Sequence, residues 1–77
     1  MAGNYLPTPG SGTTLYLKYH SENRELEIGF KTRRVYHYLE VPLRVWKKYY
    51  KDVSGGGSSG KFFNLHIKEK YEFIRIA

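Results

Sequence analysis

The sequence predicts a small α+β domain: an antiparallel sheet, built as a three-stranded meander plus a C-terminal strand, packed against one or two short helices. Three observations predict it. Apolar residues alternate with polar ones in residues 14–20 (TLYLKYH) and 25–31 (ELEIGFK), the period-two pattern of half-buried antiparallel strands. After Pro42 the period changes to that of an amphipathic helix, and alternation returns in residues 71–76 (YEFIRI). At 77 residues without a cysteine, the chain forms one domain at most, with no disulfide or thiolate cluster to support it. Its 17 % aromatic content is one way for so short a chain to assemble a core.

Residues 1–12 mix Pro, Gly, Ser and Thr without a period and read as a disordered tail, leaving residues 13–77 as the domain. In the first strand Leu15, Leu17 and Tyr19 share a side, and residues 21–24 make a polar turn. In the second, Leu26, Ile28 and Phe30 face one way and Glu25, Glu27 and Lys31 the other. The chain then turns without a glycine, and residues 35–40 (VYHYLE) form the third strand.

Pro42 suits a first helical position, where its missing N–H costs nothing. At about 100° per residue, Leu43, Trp46, Tyr49, Tyr50 and Val53 fall on one arc of a helix over residues 43–53. Arg44, Lys47, Lys48 and Lys51 fall on nearly the opposite arc, repelling one another by a few tenths of a kcal/mol per pair, roughly. Gly55 suits the left-handed position that ends a helix, and residues 54–60 read as a flexible Gly/Ser loop. Residues 61–68 (KFFNLHIK) begin a second, short helix.

Charge is unevenly placed. Residues 31–51 hold Lys31, Arg33, Arg34, Arg44, Lys47, Lys48 and Lys51 against Glu40 alone, which equals the whole net charge of +6. A polyanion-binding surface requires such a concentration, although a solvated basic face has the same composition. No apolar run approaches the roughly 20 residues of a membrane span, and no basic-then-apolar leader opens the chain. These features predict a soluble, cytoplasmic protein with no membrane partner.

In order, the segments L-E-I-G-F (26–30), V-Y-H-Y-L-E-V-P (35–42), G-K-F-F-N (60–64) and Y-x-F-I-R-I (71–76) resemble the KTSC domain. That family is named for a module at the C-terminus of some lysyl-tRNA synthetases, and it also occurs as a single-domain bacterial or phage protein. Tyr36 and Tyr38 match its central Y-x-Y, Val41 and Pro42 its V-P, and Gly60, Lys61, Phe63 and Asn64 its G-K-x-F-N. The resemblance implies a small α+β fold and RNA binding, with tRNA as one form of partner. Two departures stand out: no glycine at Thr32-Arg33, and what reads as an insertion over residues 55–59.

The Y-x-Y pair has two readings. One turn sets Phe30 opposite Val35 and Gly29 opposite Tyr36, placing both tyrosines on the solvent face beside Tyr16, Lys18 and His20 as a stacking platform for unpaired bases. A turn one residue longer sets Phe30 opposite Tyr36 and Ile28 opposite Tyr38, so the tyrosines enter the core and His37 points out; the one-residue slip exchanges faces. With Arg33 and Arg34, the helix cations Arg44, Lys47, Lys48 and Lys51 complete a candidate nucleic-acid surface.

Residues 55–61 (GGGSSGK) fit the opening of a phosphate-binding loop, but Phe62 stands where Ser or Thr must hold magnesium, and a helix precedes the segment. Gly60 and Lys61 remain as a candidate anion site. His20, His37 and His66 are scattered with no carboxylate at ligand spacing, so no metal site is expected. No catalytic constellation and no cofactor motif can be assembled. Asn64 is expected to brace a tight turn. The sequence thus predicts a non-catalytic RNA-binding domain, with a small anionic nucleotide or a protein partner as the alternatives.

Overall fold

The computed structural model describes residues 4–77. Five strands, β1 (Tyr5–Pro7), β2 (Thr14–His20), β3 (Glu25–Phe30), β4 (Val35–Tyr38) and β5 (Phe73–Arg75), form one antiparallel sheet in chain order. Between β4 and β5 lie α1 (Leu43–Ser54) and a short α2 (Ser59–Phe62), which widens into a π-helical turn over Phe63–Ile67. Among the described residues, no helix is long and apolar enough to cross a membrane.

The alternating segments are β2, β3, β4 and β5, as expected, but β1 lies in the stretch read as a disordered tail. Tyr5, Leu6 and Pro7 pair with Lys18, Leu17 and Tyr16. Three residues show no period, and Pro7 donates nothing to a ladder, so the segment is tolerated only at an edge. In β2 a bulge between Thr14 and Tyr16 leaves Leu15 exposed and Thr14 buried, while Leu17 and Tyr19 face the core as expected.

The turn after β3 is tighter than either reading of the Y-x-Y pair. The Phe30 N–H donates to the Arg34 carbonyl and the Arg33 N–H to the Phe30 carbonyl, closing a loop of Lys31, Thr32 and Arg33. Arg33 takes the left-handed conformation, at φ 69°, where a glycine was expected. Ile28 therefore lies opposite Tyr36 and Leu26 opposite Tyr38. This register differs from the core-facing alternative by two residues and so preserves its faces. Tyr38 is buried, Tyr36 is half-buried, and His37 points away from the core. The solvent-face platform of Tyr36 and Tyr38 is not formed.

Leu17, Leu26, Ile28, Val41, Trp46, Tyr49 and Ile67 are fully buried together. α1 contributes Trp46, stacked on Tyr19 at 5.8 Å, and Tyr49, stacked on Phe62 at 4.4 Å. Pro42 precedes the first helical residue instead of occupying it, and Leu43, on the expected apolar arc, is 45 % exposed. Gly56, at φ 100°, takes the left-handed position expected of Gly55. The segment 54–60 is no loose loop: Ser54 closes α1, Ser58 caps α2 through the Lys61 N–H, and Ser59 and Gly60 are buried.

Ser59 is buried because it joins a chain of hydroxyls. Thr14 Oγ1 donates to Ser59 Oγ at 2.9 Å, and Tyr49 OH donates to the Ser59 carbonyl at 3.0 Å. With those protons committed, Thr8 donates to Thr14 at 2.8 Å, and Ser59 Oγ donates to Tyr49 OH at 3.0 Å. Every buried polar side chain on this path is satisfied, and the chain ties the loop after β1 to both helices.

Two tests follow from this packing. Tyr49→Phe keeps the ring and strips Ser59 of its acceptor; we expect a loss of about 1–2 kcal/mol, or roughly 4–8 °C in Tm per kcal/mol, by thermal denaturation. An unchanged Tm would remove the hydroxyl chain from the stability of the fold. The second test is alkaline. Burial, with a smaller contribution from Tyr36, pushes the Tyr38 hydroxyl up to about 12, and burial raises Tyr49 as well. Unfolded tyrosines ionise near pH 10, roughly, so this stabilisation is complete below that pH and lost as pH rises through the folded values. Denaturant midpoints should fall between about pH 10 and 12, and less steeply in Tyr38→Phe. Identical slopes in the two proteins would refute the assignment.

Candidate functional site

At the β5 end of the core face, side chains from β3, β4, β5 and the π-helical turn enclose an open recess of about 420 Å³. Its walls are aromatic. Tyr36 stacks on Phe73 at 4.9 Å with the rings 9° from parallel, and Phe63 meets Tyr38 and Phe30 edge-on at 5.6 and 5.3 Å. The backbone explains the convergence. Tyr38 and Phe73 are direct partners across β4 and β5, so their rings project to the same face. The wider π-helical turn keeps Phe63 and Ile67 both buried, while Asn64, expected to brace a tight turn, is exposed.

Arg34 and Lys68 line the same recess, with Glu69 as its acid and Thr32 and Tyr71 completing the rim. Phe73 is 52 % exposed, so one ring of the stack is open to a ligand face. The structure thereby brings together three of the expected residues, Arg34, Tyr36 and Tyr38, and sets Arg33 beside them at the hairpin tip. Phe30, Phe63, Lys68, Tyr71 and Phe73 were missed as site residues. Their signal in the sequence was the two-residue spacing of Tyr71 and Phe73 and the doubled aromatic Phe62-Phe63.

The other expected residues lie elsewhere. Arg44, Lys47, Lys48 and Lys51 are exposed on α1, and Lys48 and Lys51 border a shallow groove with Asp52, Gly57 and Phe62. Among the described residues no lysine or arginine pairs with an aspartate or glutamate; every side-chain ion pair joins a histidine to a glutamate. At the Gly-rich segment, Ser58 Oγ accepts from the Lys61 N–H and Gly60 is packed against Thr13. Those groups serve a cap and a close contact. A cleft of about 460 Å³ beside it, between residues 7–12 and the end of α1, is lined by no charged side chain.

The opposite face of the sheet corrects the expectation that the histidines are scattered with no carboxylate at ligand spacing. Glu27 Oε1 is 2.8 Å from His20 Nε2 and 3.1 Å from His37 Nε2, and its Oε2 accepts from Tyr16 OH. Glu25 Oε1 lies 2.9 Å from His37 Nδ1. Burial works to raise the Glu27 carboxyl, but the hydrogen bonds from Tyr16, His20 and His37 outweigh it and hold the group below its ordinary value. Burial and the bond to Glu27 push Tyr16 up to about 12. His66 is apart from this cluster, with its ring 4.4 Å from that of Phe62. Spacing along the chain could not show the cluster, because its members come from three strands.

The KTSC domain model matches residues 11–71. The crystal structure of a KTSC domain protein from Yersinia pestis is similar to this chain with a TM-score of 0.81 and 33 % identity, over 95 % of this chain and 96 % of that one. No curated protein matches. With the family model matched over most of the chain and a solved KTSC domain protein 33 % identical over 95 % of it, the chain belongs to the KTSC domain family.

Proposed function

We propose that this domain binds RNA without catalysing a reaction, taking an unpaired base into the aromatic recess and holding the adjoining backbone with Arg34, Arg33 and Lys68. The observation that carries the reading is the junction of open aromatic rings and unpaired cations in one concavity. Base stacking on a side-chain ring contributes about 1–3 kcal/mol per base, and it needs an exposed π face of the kind Phe73 offers. Arg34 brings a planar fork suited to phosphate oxygens. The cations of α1 extend the positive surface and give affinity without sequence preference.

A second reading has its own support. A recess of about 420 Å³ falls within the size range of small-molecule sites, so a small anionic nucleotide fits the same concavity. The two readings differ in salt dependence. An RNA held at four or five phosphates loses affinity with a log–log slope of very roughly −3 to −4, whereas a mononucleotide has too few charges to do so.

The test is fluorescence anisotropy with a labelled RNA hairpin and competition by mononucleotides, at low and at physiological salt. Phe73→Ala should weaken RNA binding by about 5- to 150-fold, the loss of one stack. Arg44→Glu with Lys48→Glu should weaken it and flatten the salt slope. If the double variant binds RNA like the parent while keeping its fold, the backbone role of α1 fails. If mononucleotides compete at equal concentration and salt has little effect, the small-ligand reading replaces RNA.

Arg33 supplies a separate prediction. Its left-handed conformation costs an L-residue about 1–2 kcal/mol, part of which glycine recovers at the expense of a more flexible unfolded chain. Arg33→Gly should therefore raise Tm by a few degrees, roughly, while lowering RNA affinity. A variant both stabler and unimpaired in binding would show that the charge at the hairpin tip has no part in recognition.

A further inference from the structure

The face of the sheet turned away from α1 carries chemistry that the RNA reading leaves unused. We propose that His20, Glu27 and His37 bind a divalent transition-metal ion, zinc by preference, through two imidazole Nε2 atoms and one carboxylate oxygen, leaving a fourth position open to water or an exogenous anion.

The sheet register assembles the three ligands. Glu27 and His37 are direct partners across β3 and β4, and His20, the partner of Glu25, is the diagonal neighbour of Glu27 across β2 and β3. All three candidate ligand atoms lie within 4.8 Å of one another. The separations from Glu27 Oε1 to the two Nε2 atoms are 2.8 and 3.1 Å. Neighbouring ligands of a tetrahedral zinc, bound at roughly 2.0–2.1 Å, stand about 3.3 Å apart. Small outward movements of the side chains therefore bring these contacts to zinc geometry. The side chains are 16–22 % exposed, enough for an ion to enter from solvent.

Proton accounting leaves a place for one more positive charge here, which a second ring proton or a metal ion can fill. His37 faces a carboxylate oxygen with each ring nitrogen, Glu25 at Nδ1 and Glu27 at Nε2. A neutral imidazole has a single N–H, so it satisfies one of these contacts and opposes two lone pairs at the other. A metal ion between His37 Nε2 and Glu27 Oε1 replaces the missing proton and leaves the Nδ1 proton for Glu25. This is the carboxylate–histidine–metal arrangement that fixes tautomer and ring orientation at metal sites. His20 repeats it more loosely, with Nδ1 3.7 Å from Glu22 Oε1. Tyr16 holds the other Glu27 oxygen, leaving Oε1 as the single ligand atom. Lys18, the cross-strand partner of Glu27, is exposed and makes no ion pair with it among the described residues. Two imidazoles and a carboxylate suit zinc, nickel or copper and disfavour magnesium or calcium.

The experiment uses the full chain without an affinity tag, stripped with chelator and titrated with zinc chloride by calorimetry and by NMR of the histidine side-chain nitrogens. One equivalent should bind, shifting the Nε2 signals of His20 and His37 and leaving those of His66 in place. His20→Asn and His37→Asn should each weaken binding at least about tenfold, and Glu25→Gln, which acts through His37, by about 10- to 100-fold. His66→Asn should have no effect. Magnesium at the same concentration should leave the spectra unchanged. If His37→Asn fails to fold, His20→Asn decides, with amide dispersion as the check on its fold. Absence of saturable one-to-one binding, binding indifferent to His20→Asn, or shifts centred on His66 would overturn the proposal and leave the cluster as a hydrogen-bonded network.

Discussion

Most of the molecule follows from the parity of one turn. By closing after three residues, Lys31–Arg33, the β3–β4 hairpin sends Tyr36 and Tyr38 into the face that already holds Leu26 and Ile28, and sends His37 to the other. A slip of one residue would expose both tyrosines and place an imidazole in the core. Such a slip reverses every side chain of the strand, so an apolar core face selects strongly against it. The aromatic recess and the histidine–glutamate cluster are thus two consequences of one register. Arg33 bears its cost, holding a backbone conformation that few L-residues adopt.

Elements with a clear period were legible in the sequence. β2, β3 and the amphipathic α1 coincide with their patterned segments, because alternation or a helical arc of apolar residues states directly which face is buried. Failures fall where the pattern is too short or the reason for burial is polar. β1 spans three residues, and its loop is held by Thr8 and Thr14 hydroxyls, which hydrophobic periodicity cannot register. Ser59 and Gly60 read as linker residues by composition, yet one completes a buried hydroxyl chain and the other gives way to Thr13. The recess was half legible: its tyrosines were singled out, but Phe63 and Phe73 became neighbours only through the π-helical turn and the β4–β5 pairing.

The distribution of ion pairs explains how a domain of modest charge presents so positive a surface. Glu22, Glu25 and Glu27 lie against histidines on the outer face of the sheet. They are therefore not spent on the cations of the hairpin and helix, which remain exposed and unpaired among the described residues. Exposed ion pairs contribute little to stability, so leaving these cations free costs the fold little. It also leaves a positive potential available to an anionic partner, whose attraction acts before contact and weakens with salt. Charge is segregated by face as well as by sequence position.

The stability of the recess walls differs in a way that bears on binding. Phe30, Tyr38 and Phe63 are anchored in the core, whereas Phe73 belongs to a three-residue edge strand whose residues are all exposed. Short edge strands open at lower free energy than central ones, because they hold fewer hydrogen bonds and bury less apolar surface. Phe73 nevertheless stacks on Tyr36, so its ring is already held in a fixed plane with an outer face open for a base to stack on. A ligand that completes the stack adds contacts to the least protected strand and orders it further. The expected signature is protection of the β5 amides on binding, greater than that of β2 or β3, where the free domain already holds its hydrogen bonds in the centre of the sheet.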